Sequence, residues 1–173
     1  MRSTSRVGEI GRAAAVAAMV GITGAAAPVF AATASTNLGV SATVISNCLI
    51  NTSALAFGSY DPVVGNSAAD LDGTGIVSVA CTKGVAPTIA LGLGSNASGS
   101  TRRMSDGSGH FLTYELYKET GRVTVWGTGG ALLSTSAAPS KDPRDFTVYG
   151  RVTAGQDATA GSYTDSVVAT VNF

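Results

Sequence analysis

The sequence has few charged residues and no excess of either sign. Only 13% of the 173 residues are charged, and basic and acidic residues number 11 each, so the formal net charge is zero. Proteins that bind nucleic acid by neutralising its phosphates need a basic surface, and attraction to anionic lipid needs the same kind of field. We therefore expect neither nucleic acid nor an anionic membrane surface as a partner.

Histidine and cysteine, which serve most metal sites and much nucleophilic catalysis, are also scarce. The chain has a single histidine, His110, and two cysteines without a CxxC motif, which disfavours a metal site. Asp106, Ser108 and His110 allow a Ser-His-Asp set on paper, but any serine-rich chain does, and no GxSxG motif is present. Glu115 and Glu119 share one face of a predicted strand and are expected to project into solvent. We expect no enzymatic activity, no cofactor and no small-molecule substrate.

Outside the N-terminal region the sequence lacks the 3.6-residue apolar period of amphipathic helices. It has instead 22 glycines and several short alternating segments separated by Gly, Pro, Asn and Asp. This pattern predicts one all-β domain with the architecture of an antiparallel β-sandwich. The predicted internal strands cover residues 75–81, 86–94, 111–117, 123–126 and 146–152, with short pieces near 103–104 and 131–133.

Residues 1–34 have the three-part pattern of a secretory signal peptide. Arginines precede the apolar run of residues 13–27, and small residues follow at Ala31, Ala32 and Ala34. We predict cleavage between about residues 31 and 34. A membrane anchor is the alternative, but the run is short, rich in alanine and broken by glycine and proline. The mature protein is expected to be exported and soluble.

Export gives the two cysteines a structural interpretation. Cys48 and Cys81 both lie in the exported part of the chain, and an even number of cysteines in an oxidising compartment predicts one disulfide. Closing a loop of this length contributes about 3 to 4 kcal/mol of stability in the chain-entropy model.

The two ends of the mature sequence alternate in the manner of strands with one buried face. A last strand is predicted over residues 161–173, and because its final residue is apolar, we expect that residue to be buried in the core. The apolar face of this strand consists of Val167, Ala169, Val171 and Phe173. A second alternating segment precedes Cys48, and its apolar residues are Leu38, Val40, Ala42 and Val44. The open edge of the last strand needs a cover, because an exposed apolar edge promotes aggregation.

Several short segments, taken in order along the chain, resemble one protein family. They are the strand that ends at Cys48, then residues 55–62, 77–81, 112–117, 126–127, 148–152 and 160–165. Together they make the mature sequence similar to the spore coat protein U domain family, which includes the pilin subunits of archaic chaperone-usher pili. Each segment is weak by itself, whereas the ordered set is fairly specific.

The resemblance implies an immunoglobulin-like sandwich that lacks its last strand and is completed by donor-strand complementation. Residues 35–47 would be the N-terminal donor segment, and residues 48–173 would be the pilin domain. The inserting side chains would be Leu38, Val40, Ala42 and Val44, and the acceptor groove edge would be formed by Val167, Ala169, Val171 and Phe173. The implied partners are neighbouring pilin subunits, a periplasmic chaperone and an outer-membrane usher.

On this basis we expect a structural subunit of a surface pilus, exported through the periplasm and serving adhesion and biofilm formation. Three alternatives stay open. The N-terminal strand could fold back into its own domain and give a self-complemented soluble binding module. The protein could be a spore or envelope coat protein, or a tip adhesin that binds its target through its loops.

Overall fold

The structure is a computed structural model in which residues 28–173 are described. Most of the predicted signal peptide lies in residues 1–27, outside the described residues. The chain divides after Ser41 into two units, and the described part of the first unit, residues 28–41, contains neither helix nor strand. Within the described residues, no helix has the length and apolarity needed to cross a membrane.

The second unit, Ala42–Phe173, is built from two antiparallel sheets. The strands are β1 (Cys48–Ser53), β2 (Leu71–Cys81), β3 (Thr88–Leu91), β4 (Arg102–Ser105), β5 (Phe111–Tyr117), β6 (Leu133–Ser134), β7 (Arg144–Val152) and β8 (Ala169–Asn172). The larger sheet has the order β1-β2-β7-β5-β4, and the smaller sheet has the order β6-β3-β8. A single 3-10 turn, Gly129–Ala131, precedes β6. The predicted all-β antiparallel sandwich is confirmed.

The core lies between the inner faces of the two sheets. Alternate residues of β2, β5 and β7 are buried, as expected for strands with one solvated face. Trp126 is fully buried, and its indole Nε1 donates a hydrogen bond to the carbonyl oxygen of Ile89 at 2.9 Å. The main buried apolar residues are Val77, Val79, Ile89, Leu91, Leu112, Tyr114, Leu116, Trp126, Val148 and Val152.

The predicted disulfide is present. Cys48 opens β1 and lies directly opposite Cys81, the last residue of β2, and the two are covalently joined. Because β1 is the edge strand of the larger sheet and pairs only with β2 among residues 28–173, the disulfide fixes that edge at one end.

The alternating segment before the first cysteine is not a strand within the single chain, and its role as a donor strand stays a prediction. Residues 38–44 form no strand in the structure, and no β-bridge includes a residue before Cys48. Alternation makes a segment suitable for a strand, but a strand also needs a neighbour that supplies hydrogen bonds. Residues 51–53 belong to β1, because they continue its ladder to β2.

Two later predictions were only partly right. Residues 123–126 form one isolated bridge, Tyr117 to Val125, and no strand. The final strand is limited to Ala169–Asn172, because its partner β3 has only four residues. Phe173 is 59% exposed, so the expectation that it is buried was wrong for the single chain.

A buried arginine connects the two sheets. The side chain of Arg102, at the start of β4, is 1% exposed, and its guanidinium donates to the carbonyl oxygens of Leu91, Gly92 and Trp126 at 2.8 to 3.0 Å. Its Nη1 pairs with the carboxylate of Glu115. The expectation that Glu115 projects freely into solvent was therefore wrong. Its carboxylate pairs with the buried guanidinium of Arg102, because an unpaired charge in the core would be costly.

Replacing Arg102 by leucine is expected to destabilise the domain by about 3 kcal/mol, because three inward-facing carbonyls and one carboxylate would lose their partner. Urea unfolding followed by Trp126 fluorescence measures this. The control is Lys141→Ala, which removes an exposed cation and should change the free energy of unfolding by less than about 0.5 kcal/mol. A loss below about 1 kcal/mol for Arg102→Leu would show that the buried contacts contribute little.

Candidate strand-binding groove

The second unit contains a large open groove that reaches into its core. Its volume is about 980 Å³. One wall is formed by residues 52–60, which continue from β1, and the other by residues 158–169, which lead into β8. The floor consists of core residues, namely Val77, Leu91, Met104, Leu112, Tyr114, Leu116, Val148 and Val152. The groove therefore lies directly over the core, along the line between the two walls.

The first wall packs against glycines of β2 and β7. Leu55 and Phe57 lie over Gly73, Gly75 and Gly150 on the inner faces of β2 and β7. A Cβ at Gly150 would lie 2.8 Å from side-chain carbons of Leu55 and of Phe57, closer than packed carbon atoms allow. The absence of side chains on this part of the sheet is thus what lets the wall approach it.

The second wall ends in a strand with an unpaired edge. The amide N–H of Gly92 donates to the carbonyl oxygen of Val168 at 2.9 Å, so the even-numbered residues of this stretch direct their main-chain groups toward β3. Main-chain groups alternate in direction along a strand, so those of Val167, Ala169 and Val171 point away from β3. No other strand pairs with β8 in the described part of the chain. The side chains of these three residues pack against the core.

The larger sheet also has an edge strand near the groove, namely β1. β1 has only β2 as a neighbour among the described strands, and β1 and β8 lie close together although they belong to different sheets. Thr52 and Ser53 at the end of β1 and Ala169 at the start of β8 line the groove, and its floor is apolar. A chain segment in extended conformation could pair with the edge of β8 and bury alternate side chains in the groove.

The carboxylate of Asp165 fixes the stretch that precedes β8. Its Oδ2 accepts a hydrogen bond from the Tyr114 hydroxyl at 2.6 Å, and its Oδ1 accepts from the main-chain and side-chain nitrogens of Asn96, both at 3.1 Å. Burial, reinforced by this carboxylate, raises the pKa of Tyr114 well above its ordinary value. The phenol therefore stays a neutral donor that joins β5 of the larger sheet to the groove edge.

The structure places the predicted groove-edge residues together but leaves the predicted donor residues apart from any strand. Val167, Ala169 and Val171 all pack against the core, and Val167 and Ala169 line the groove, while Phe173 lies beyond the end of the last strand. Their role as an acceptor edge stays a prediction. The donor residues Leu38, Val40 and Val44 are 87%, 87% and 83% exposed, and Ala42 is exposed as well. Their insertion into a groove stays a prediction.

Sequence reasoning did not assign a role to several residues that shape the groove. Leu55, Phe57 and Asp165 occur in segments that carry the family resemblance, and this is the signal that could have drawn attention to them. Tyr114 was predicted only as a strand residue. Their contacts join residues far apart in the sequence, which periodicity does not report.

The only histidine forms a local contact with an acid. His110 Nδ1 lies 2.6 Å from Asp106 Oδ2, and the main-chain N–H groups of Ser108 and His110 donate to the other oxygen of the same carboxylate. These bonds hold the pKa of Asp106 below its usual value, with the contact to His110 as the largest cause. Within residues 28–173 no serine hydroxyl bonds to His110, and no group of three or more acidic, histidine or cysteine side chains is arranged for a metal ion.

Comparison with known proteins identifies relatives over most of the chain. The family described as Spore Coat Protein U domain matches residues 34–170. A curated protein, Protein U of Myxococcus xanthus, is 42% identical over 163 residues, and the match covers 84% of this chain and 88% of that protein.

A solved structure shares the fold. It is the complex of the chaperone CsuC with the tip adhesion subunit CsuE, a pre-assembly complex from the archaic chaperone-usher Csu pili of Acinetobacter baumannii. The match has a TM-score of 0.56 at 21% identity and covers 76% of this chain. This chain spans only 41% of the matched chain, so the similarity concerns the fold of one part of that protein.

The burial of Tyr114, together with its hydrogen bond to Asp165, makes stability sensitive to alkaline pH. Because the folded state keeps Tyr114 neutral while the unfolded chain ionises near pH 10, its contribution is complete below that pH and is lost as the pH rises further. Tyr114→Phe should cost about 1 to 2 kcal/mol at pH 7. The stability difference between the two proteins should narrow above about pH 10, which urea unfolding at pH 7 to 11 measures. A constant difference over that range would contradict the assignment.

Proposed function

The chain belongs to the Spore Coat Protein U domain family, and we propose that it is an exported structural subunit that polymerises by strand addition. The resemblance found in the sequence is confirmed by the family match over residues 34–170. One observation carries the proposal: the edge of β8 is unpaired, and it borders an apolar groove of about 980 Å³. In this proposal a segment from another copy of the chain fills the groove.

The segment that precedes Cys48 has suitable dimensions and chemistry for this role. Residues 38–44 in extended conformation span about 20 Å, the same length as residues 167–173 would span, because each segment has six steps of about 3.3 Å between its first and last residue. Paired with β8, the segment would satisfy the outward-pointing main-chain groups of Val167, Ala169 and Val171. Its larger apolar side chains would each contribute about 1.5 to 3 kcal/mol if fully buried in the groove.

Donation from one copy to the next is a head-to-tail contact. Such a contact joins two different surfaces and propagates into a fibre unless the rotation closes a ring. The subunit also needs protection before assembly, because an open apolar groove promotes aggregation. We therefore propose a periplasmic chaperone as the first occupant of the groove and an outer-membrane usher as the site of polymerisation. That a chaperone complex contains a chain with this fold supports the first of these partners.

The leading assignment is a pilus subunit at the cell surface that contributes to adhesion and biofilm formation. A second candidate is a coat protein of a spore or envelope. It is favoured by the description of the family that matches residues 34–170, Spore Coat Protein U domain. Both assignments use the same polymerising contact, and they differ in where the polymer accumulates, on extended surface fibres or in a layer around the cell.

We propose that this role is structural and involves no catalysis, cofactor or small-molecule substrate. The pairing of His110 with Asp106 has a sufficient structural explanation. It closes the loop between β4 and β5, where the carboxylate also accepts two main-chain N–H bonds.

The proposal predicts that a charge on the inserting face of the donor segment abolishes polymers. In the mature chain, Val40→Asp would have to bury a carboxylate in the groove, whereas Ser41→Asp places the same charge one residue away on the opposite face. We expect wild type and Ser41→Asp to give a ladder of multimers on SDS-PAGE without boiling, and Val40→Asp to give monomer.

Circular dichroism and urea unfolding of the two variants provide the folding control, and both variants should retain the β-sheet spectrum. Ladders of equal length from Val40→Asp and Ser41→Asp would refute donation by this face. A wild-type protein that is a sharp monomer would refute polymerisation itself and favour a self-complemented domain.

A further inference from the structure

We infer that Asp165 is the positioning residue of the groove edge, holding the stretch before β8 in the extended form that an incoming strand must pair with. This inference rests on the proposed function and adds to it the residue that determines how long the usable edge is. It concerns a side chain that lies on the groove wall and whose contacts connect three separate parts of the domain.

The carboxylate of Asp165 is closely surrounded by Tyr114, Asn96 and Gly94. It accepts three hydrogen bonds, one from the Tyr114 hydroxyl of the larger sheet and two from Asn96 in the loop that follows β3. Below it lies Gly94, with a φ of +93°, where a Cβ would be only 1.9 Å from Asp165 Oδ2. Space and conformation at Gly94 are therefore matched to the carboxylate.

These contacts determine the path of the main chain on both sides of Asp165. Asn96 also donates through Nδ2 to the carbonyl oxygen of Thr164 at 3.1 Å. The main-chain N–H of Ser95 donates to the carbonyl oxygen of Ser166, also at 3.1 Å. On the far side, Ser105 and Thr164 exchange two main-chain bonds of 2.9 Å. The stretch from residue 164 to residue 168 is thus attached to its neighbours through main-chain bonds at Thr164, Ser166 and Val168, although it is not a regular strand.

The length of the pairing edge depends on this attachment. Regular pairing with β3 covers only Ala169–Asn172, which offers Ala169 and Val171 to an incoming strand. Val167 belongs to the edge only while the preceding stretch stays in place. Along this wall the groove is lined by residues 158–167 and by Ala169, so it adjoins mainly the stretch that Asp165 holds and not the regular strand.

The test measures binding of the donor segment in trans. The full mature chain carrying Val40→Asp cannot donate to itself, and a fluorescent synthetic peptide of residues 35–47 serves as the probe. Asp165→Ala should weaken peptide binding about tenfold or more, because an edge whose path is no longer fixed must be ordered during binding. Asp165→Asn should stay within about threefold of the parent, because asparagine keeps the shape and can keep bonds to both Asn96 and Tyr114.

A destabilised control separates positioning from general loss of stability. Val79→Ala truncates a fully buried residue that does not line the groove, so it should lower the urea midpoint while leaving peptide affinity within about threefold. Equal affinity for parent and Asp165→Ala would overturn the inference, and so would parallel losses in Asp165→Ala and Val79→Ala at matched stability. Absence of peptide binding to the parent would instead refute the proposed function.

Discussion

The main constraint on this structure is that the free edge of β8 has main-chain groups that need hydrogen-bond partners. β8 pairs only with β3 among the described strands. Val167, Ala169 and Val171 direct their N–H and C=O groups away from β3. Beside this edge lies a groove of about 980 Å³ whose floor consists of core residues. Water can satisfy the main-chain groups, but it cannot fill an apolar groove favourably, and a strand from another chain can do both.

An incomplete sandwich needs other contacts that keep its two sheets together. The disulfide between Cys48 and Cys81 fixes the edge strand β1 of the larger sheet. Arg102 extends from β4 to carbonyl groups of the smaller sheet, and Tyr114 extends from β5 to Asp165 on the groove wall. The contacts of Arg102 and Tyr114 join different elements of the domain, whereas the disulfide joins two strands of one sheet.

Strand content could be predicted from the sequence where a strand lies inside a sheet. Residues 111–117 were predicted with the bounds that β5 has, and residues 146–152 lie within β7, because central strands alternate strongly and have neighbours on both sides. The disulfide followed from two cysteines in an exported chain. Residues 38–44 show the limit, since alternation predicts a strand there and the single chain offers no strand to pair with it.

The groove itself was less predictable than the fold. The apolar face of Val167, Ala169 and Val171 could be read from alternation, and the open groove beside it was implied by the family resemblance. Its walls could not be predicted, because Leu55 and Phe57 reach their places only through the glycines of β2 and β7. The burial of Arg102 could not be predicted either. Its sequence context resembles a polar loop, and only tertiary contacts explain why the side chain is buried.

Amide hydrogen exchange along the last strand tests the central claim most directly, measured by NMR on the Val40→Asp monomer with and without a peptide of residues 35–47. In the free monomer the amides of Val167, Ala169 and Val171 should exchange quickly and that of Thr170, which faces β3, slowly. On addition of the peptide the first three should become protected. Protection of these amides in the free monomer would contradict an open edge, and continued fast exchange in the presence of bound peptide would contradict strand addition at β8.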